Sequence, residues 1–223
     1  DAFLVDVVEG SEEAVVVALR QRIEFMVVAL RTAHRQAHPD LHGGVDAILI
    51  ETAQDLLQAK AAINGAREAI KSSEKDIVLI AQVTVETNGT MLMGTEIGAA
   101  LNALEPLGID LIGLNCATGP AEMSEHLRVL SKGASVGISV MPNAGLPILG
   151  KNGAHYPLTP IELASSLKQF VADYKVNLIG GCCGTTPAHM KEVVKQIHGS
   201  ENSNRSVTRE VGASSLYQFV GFK

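Results

Sequence analysis

Short apolar runs alternate with amphipathic stretches along the chain from residue 44 onward. The runs are rich in β-branched residues and apolar at both odd and even positions, which is typical of strands buried on both faces of a sheet. The pattern predicts five strands, at 45–51, 76–86, 110–116, 136–143 and 177–183. The stretches between them predict helices, which include 52–73, 95–108, 120–131 and 159–174.

Two helix starts are marked by a threonine followed by proline, at Thr159-Pro160 and at Thr186-Pro187. This order caps a helix and fixes its first turn. Strand–helix units in succession predict an α/β fold with a parallel sheet and right-handed crossovers. The sheet can be a barrel or an open doubly wound sheet. A nucleotide-binding fold is less favoured, because no GxGxxG or GxxxxGK[ST] sequence opens a helix.

The two ends of the chain differ from this pattern. Residues 1–43 hold one apolar run at 1–8, which predicts a strand, and the stretch 11–36, which predicts a long helix. Residues 199–223 are polar and then mildly apolar, which predicts a linker. We therefore divide the chain into an N-terminal segment at 1–43, a barrel-like unit at 44–198 and the linker.

Composition narrows the class of protein. The chain has 223 residues, 46% of them hydrophobic, enough for one large domain or two small ones with a sizeable core. Its net charge of −6 argues against nucleic-acid and anionic-membrane partners. It has no apolar run of about 18 residues, so we expect no transmembrane helix, and no basic segment opens it as a signal peptide. Three cysteines are too few for a disulfide scaffold and suit a reducing, cytoplasmic location.

Polar and reactive side chains collect at the C-terminal ends of the predicted strands, which form the active face in α/β folds. They include Glu51, Cys116, Asn143, Cys182 and Cys183. All three cysteines of the chain thus fall on one edge of the sheet, although they lie far apart in sequence. We expect the three thiols to lie close together.

A cluster of three thiolates needs a cation, because the negative sulfurs repel one another. Zinc is the natural choice, since it takes sulfur ligands at about 2.3 Å in tetrahedral geometry. Three protein ligands leave the fourth position open, as in catalytic zinc sites. Three thiolates make the metal a poor activator of water but suit it to holding a substrate thiol as thiolate, which favours sulfur chemistry over hydrolysis.

Two other interpretations of the pair Cys182-Cys183 remain. Adjacent cysteines can be buried small hydrophobic residues, or they can form a redox pair, although adjacent disulfides are strained. Cys116 on the same edge favours zinc. His189, in the first turn of the following helix, is interpreted as structural and not as a fourth ligand, because the chemistry requires an open position.

The segments GLNCATGP (113–120), SVMPNAGLP (139–147) and GGCCGTTPAHM (180–190) resemble the zinc-dependent homocysteine S-methyltransferase family. Within it, the likeness is closest to the homocysteine-binding module of the cobalamin-dependent methionine synthases. DAILIETAQDLLQAKAAINGAR and QVTVETNGTMLMGTEI also resemble that module. The tail SSLYQFVGFK resembles its connector to the folate-binding module, so the resemblance extends over 43–223.

The resemblance implies a parallel (β/α)₈ TIM barrel in which zinc binds the sulfur of homocysteine. It assigns Cys116, Cys182 and Cys183 as the zinc ligands. Asn143 matches a residue that approaches the zinc when homocysteine is absent. Glu51 matches a glutamate that helps to hold the amino group of the substrate.

The activity that the resemblance implies is methyl transfer to homocysteine, giving methionine, with methylcobalamin held by another module as the donor. The chain would then be a transferase of methionine biosynthesis, with the cobalamin- and folate-binding modules of the same enzyme as partners. Backbone N–H groups at Gly184 and Thr185, just before a helix, are expected to orient the substrate. Betaine or S-methylmethionine as donor, a non-catalytic zinc-binding fragment and a redox protein remain as alternatives.

Only five of the eight strand–helix units of the family can be placed in this sequence, and residues 1–43 do not resemble the missing first units. We therefore expect an incomplete or rearranged barrel. Because an unclosed sheet exposes two strand edges, we also expect that two copies of the chain can pair through these edges as a homodimer.

Overall fold

The computed structural model describes residues 16–18, 28–30, 47–73, 76–151, 153–198, 200, 205–207 and 211–222. The strands are β1 (Val16–Ala18), β2 (Val28–Leu30), β3 (Ala47–Ala53), β4 (Val78–Val83), β5 (Leu111–Asn115), β6 (Gly137–Met141), β7 (Ile148–Gly150), β8 (Gly153–His155), β9 (Leu178–Gly180), β10 (Gly212–Ser214) and β11 (Phe219–Gly221). The helices are α1 (Leu56–Ser73), α2 (Ile97–Leu104), α3 (Pro120–Gly133), α4 (Pro160–Tyr174) and α5 (Pro187–Ile197), and a 3₁₀ turn (Glu105–Leu107) follows α2. Over these residues, no helix has both the length and the apolar surface that crossing a membrane requires.

Seven of the described strands form one sheet, in the order β1-β9-β6-β5-β4-β3-β2. The strands from β9 to β2 are parallel, and β1 runs antiparallel to β9. The α/β class and the five predicted strands are confirmed as β3, β4, β5, β6 and β9, and the predicted helices follow them. No ladder among the described residues joins β1 to β2, so this part of the chain forms a partial barrel.

The prediction of a long helix at 11–36 is wrong for two groups of three residues. Residues 16–18 and 28–30 form β1 and β2 instead, which pair with β9 and β3. Both strands lie in runs of consecutive apolar residues, which periodicity alone cannot assign to a helix or a strand. Pairing with an edge of the sheet decides in favour of strands. The predicted strand at 1–8 lies outside the described residues.

The parallel strands carry apolar side chains on both faces, as their sequences predict. One face packs against the helices, and its core includes Ile48, Ile112 and Ile138, each at most 2% exposed. Burial of one such side chain contributes roughly 1.5–3 kcal/mol to stability. The opposite face holds a smaller apolar cluster, which consists of Ala47, Leu49, Ile80, Met141 and Leu178.

A polar layer crosses this second, inner face of the sheet. β4, β5 and β6 align Gln82, Gly113 and Ser139 side by side, and Gln82 Nε2 donates to Ser139 Oγ at 3.1 Å. Gly113 permits this bond, because a Cβ at that position would lie 2.0 Å from Ser139 Oγ. The inner face therefore holds buried polar groups close to the strand ends where the predicted site residues lie.

The two helix starts marked by threonine and proline are confirmed. At α4, Glu162 Oε2 accepts from the Thr159 N–H at 2.8 Å, and Thr159 Oγ1 accepts from the Glu162 N–H at 3.4 Å. At α5, His189 takes the place of the acid. Its Nδ1 accepts from the Thr186 N–H at 3.2 Å, which leaves Nε2 to donate to Leu158 O at 3.0 Å. Both ring nitrogens of His189 are thus engaged, which confirms its predicted structural role.

The described residues beyond α5 pack on the domain, although the sequence predicts a linker there. The half-buried guanidinium of Arg205 donates to the carbonyls of Lys175, Ala134 and Val136 and to the side chain of Asn177. These acceptors lie before β6 and β9, so Arg205 anchors the tail to the N-terminal end of the sheet.

A hairpin of β10 and β11 continues the tail and lies against α2. Asn102 Nδ2 donates to Ser214 Oγ at 2.7 Å, and the Glu96 N–H donates to Tyr217 O at 2.9 Å. The described part of the tail therefore belongs to the surface of the domain.

Replacing Arg205 by alanine should destabilise the domain by about 1–3 kcal/mol, because partly buried carbonyls lose their donor. Urea unfolding followed by circular dichroism measures the change. Arg128→Ala is the matched control: Arg128 forms an exposed ion pair with Glu125 at 2.9 Å. Its loss should cost less than about 0.5 kcal/mol. Equal effects of the two substitutions would show that Arg205 does not anchor the tail.

Candidate metal and substrate site

Three cysteine thiols meet at the C-terminal ends of β5 and β9. Cys116 directly follows β5, and Cys182 and Cys183 follow β9. The Sγ atom of Cys183 lies 3.7 Å from that of Cys116 and 3.9 Å from that of Cys182. All three sulfurs lie within 4.8 Å of one another. The predicted clustering of the thiols is confirmed.

The sulfur separations fit a tetrahedral metal ion. Two sulfur ligands at about 2.3 Å from one zinc ion lie about 3.8 Å apart in a tetrahedron, close to the 3.7 and 3.9 Å observed. All three thiols are free and half-buried, so a further ligand can approach the cluster from its accessible side. The donor set therefore suits zinc with one open position.

Without a cation, the three thiols ionise unequally. A hydrogen bond with the Cys182 thiol lowers the pKa of Cys116 to about 6. The same bond, together with burial, raises the pKa of Cys182, and burial raises the pKa of Cys183. The crowding thus permits one thiolate and opposes a second and a third, so all three ionise at neutral pH only around a cation.

The end of β6 and the loop that follows it hold the two cysteine-bearing loops together. The Cys116 N–H donates to Met141 O at 3.2 Å. Asn143 is 3% exposed, and its Oδ1 accepts from the Cys183 N–H at 3.2 Å. The predicted residue Asn143 therefore lies beside the cluster, where it fixes the backbone that carries one thiol.

The predicted substrate-binding residue Glu51 joins the site through Asn115, which precedes Cys116. Asn115 is fully buried, and its Nδ2 donates to Glu51 Oε2 at 3.3 Å and to Thr52 Oγ1 at 2.8 Å. Its Oδ1 accepts from the Thr52 N–H at 2.8 Å. The structure thus brings Glu51 to the same end of the sheet as the thiols, and sequence reasoning identifies Glu51 without its partner Asn115.

Gly184 and Thr185, which the sequence predicts to orient the substrate through their N–H groups, form the turn after the cysteine pair. Thr185 donates its N–H and its hydroxyl to Cys182 O, at 3.1 and 2.6 Å. Its N–H is therefore engaged inside the turn. Gly184 is exposed and has a φ of +79°, a conformation that favours glycine.

Tyr156 is a residue of the site that sequence reasoning misses. Its side chain packs on Gly184, where an added Cβ would lie 2.2 Å from Tyr156 Cγ. Burial and a hydrogen bond with the Cys183 thiol raise the pKa of Tyr156. The only signal in the sequence is a single tyrosine shortly before the cap residue Thr159, and no motif marks it.

Comparison with known proteins identifies the family. The family model described as homocysteine S-methyltransferase matches residues 7–197. The chain belongs to this family. Because the match starts at residue 7, the interpretation of 1–43 as a segment foreign to the family is wrong for 7–43.

Two curated relatives are methionine synthases. The chain is 59% identical over 182 residues to the methionine synthase of Mycobacterium tuberculosis, and 57% identical over 187 residues to that of Mycobacterium leprae. Each match covers 82% of this chain, but only 15% and 16% of the two relatives. The chain therefore spans a small part of the length of the curated relatives that it matches.

Solved structures share the fold. The apo and metallated forms of the homocysteine methyltransferase MmuM from Escherichia coli match with TM-scores of 0.53 and 0.54, at 22% identity. The matches cover 70% of this chain and 51% and 46% of those chains. This likeness concerns the fold alone, and it agrees with a partial barrel.

Gly184→Ala should weaken metal binding at the cysteine cluster, because the added Cβ would overlap Tyr156 and displace the turn that carries Cys183. We expect zinc affinity, measured by competition with a chelator, to fall about 10-fold or more. Gly65→Ala is the matched control: Gly65 lies in α1, and nothing lies within 4 Å of an added Cβ. Its zinc affinity should not change. Unchanged affinity in Gly184→Ala would show that the tyrosine moves away freely.

Proposed function

We propose that this chain is the homocysteine-binding module of a methionine synthase, in which it takes part in methyl transfer to the thiol of homocysteine, giving methionine. Membership of the homocysteine S-methyltransferase family and the 59% identity to a methionine synthase support the proposal. The observation that carries it is the cluster of three half-buried thiols, whose sulfurs lie within 4.8 Å of one another.

The cysteine cluster would hold a metal and leave room for the substrate. Cys116, Cys182 and Cys183 would bind a zinc ion, which lowers the pKa of a bound thiol and so supplies the thiolate form of homocysteine. The accessible side of the half-buried sulfurs is where the substrate thiol would enter. Tyr156, which packs on the turn after the pair, would cover part of this opening and exclude water.

Groups around the cluster would orient the amino-acid part of the substrate. The carboxylate of Glu51 would bind the ammonium group through a charge-assisted hydrogen bond. The backbone of Gly184, close to the N-terminus of α5, would face the carboxylate. Asn143 and Thr185 would position the cysteine loop, because both bond to its backbone.

The methyl donor and the other modules are proposed from the relatives. Identity to methionine synthases that are much longer than this chain favours methylcobalamin as donor, held by a separate module, and a folate-binding module as a further partner. A reducing cytoplasm fits three free thiols. A homodimer through the sheet edges stays a prediction.

Zinc content and homocysteine binding test the proposal together. The freshly purified chain should carry one zinc ion, and a chelator should expose three reactive thiols. In a separate experiment, homocysteine should bind to the zinc-loaded chain with release of a proton, because its sulfur binds as thiolate. Calorimetry in buffers of different ionisation enthalpy measures this proton.

Cys116→Ser removes one sulfur ligand, so it should lower zinc affinity more than about 100-fold and abolish homocysteine binding. Ser166→Ala, on the exposed surface of α4, is the control and should change neither. Zinc and homocysteine binding that survive Cys116→Ser would refute the metal site. Zinc without homocysteine binding in the unaltered chain would indicate a non-catalytic zinc-binding fragment.

A further inference from the structure

β3 contains a bulge next to the site, and Thr52 in this bulge has a strained backbone. The pairing of β3 with β4 shifts register between Ile50 and Ala53, and Thr52 has a φ of +55°. A β-branched residue rarely adopts this left-handed conformation, so the surroundings must hold it there. A bulge changes the direction of the side chains that it carries, and Glu51 lies within it.

The side chain of Asn115 holds this bulge. Its Oδ1 accepts from the Thr52 N–H at 2.8 Å and its Nδ2 donates to Thr52 Oγ1 at 2.8 Å, so the amide binds both the backbone and the side chain of the strained residue. The same Nδ2 donates to Glu51 Oε2 at 3.3 Å. Asn115 is 0% exposed, so water does not compete for these bonds.

Asn115 is itself fixed by its own part of the sheet. It pairs with Met141 of β6, and its carbonyl accepts from Thr84 Oγ1 at 3.2 Å. The chain turns immediately after it, where Cys116 and Ala117 have φ values of +59° and +55°. Asn115 therefore bonds to the bulge that carries Glu51 and directly precedes the turn that carries the Cys116 thiol.

We infer that Asn115 is a positioning residue, which sets the distance between the Glu51 carboxylate and the Cys116 thiol and so makes the site selective for a thiol that carries an amino group. The inference rests on the proposed function, in which the substrate sulfur lies at the cysteines and its ammonium at Glu51. An amide suits this role because it donates to a carboxylate and accepts from an N–H at once.

Homocysteine and 4-mercaptobutyrate are the probes, since the second lacks only the amino group of the first. Calorimetry on the zinc-loaded chain measures both dissociation constants. The unaltered chain should prefer homocysteine, and Asn115→Ala should reduce this preference about 10-fold or more, since a hydrogen bond to a charged group is lost. In Asn115→Ala the zinc content should not change, because the cysteines are untouched. The affinity for 4-mercaptobutyrate should stay within about threefold of that of the unaltered chain.

A further variant tests whether the hydrogen-bond donor of Asn115 matters, and not only the shape of its side chain. Asn115→Asp keeps the shape but lacks the donor and places a second negative charge against Glu51, so it should also lose the preference. Asn102→Ala is the matched control, because its side chain bonds to Ser214 at 2.7 Å in the distant hairpin. It should keep the full preference.

The double variant Thr52→Gly/Asn115→Ala separates positioning from stability. Glycine adopts a φ of +55° without support, so this variant should fold even where Asn115→Ala alone does not. Loss of the amino preference in the folded double variant supports the inference, and a retained preference overturns it. An unaltered chain that binds both thiols equally would overturn the inference but keep thiol binding, whereas binding of neither would overturn the proposed function as well.

Discussion

Three sulfur atoms within 4.8 Å of one another are the constraint on which this site depends. Hydrogen bonding to Cys116 and burial raise the pKa of Cys182, so the cluster ionises fully only around a cation. Cys116 and Cys183 are 67 residues apart in the sequence. They meet because β5, β6 and β9 are neighbours in a parallel sheet and end at the same edge. The topology of the sheet is thus the physical basis of the thiol cluster.

The site has two parts, which different strands supply. The thiols come from β5 and β9, with the loop after β6 between them, whereas Glu51 comes from β3, which lies two strands away from β5. In the proposed function, a metal would need only the first part, whereas recognition of an amino acid by its ammonium group would need both. The side chain of Asn115 bridges the two parts, because it lies in β5 and bonds to the bulge in β3.

The sequence predicts those features that follow from local pattern and sheet topology. Apolar runs reveal the strands β3 to β6 and β9, and the rule that parallel strands end at one edge predicts the meeting of the cysteines. The N-terminal strands are missed because a run such as that around 16–18 is apolar without a clear period, and only pairing with β9 decides it. Tyr156 and Arg205 are missed for a related reason: their partners lie on other elements of the fold.

Backbone strain at this edge explains how the thiol of Cys116 reaches the cluster. Side chains alternate between the two faces of a strand. If Cys116 continued the extended strand, its side chain would therefore point to the face opposite that of Asn115, toward the helices. Asn115 shares its face of the sheet with Glu51, to which it bonds. The positive φ values of Cys116 and Ala117 break the alternation and turn the thiol to within 3.7 Å of Cys183. The site therefore forms where the strands depart from regular geometry, and hydrogen bonds from neighbouring strands sustain that departure.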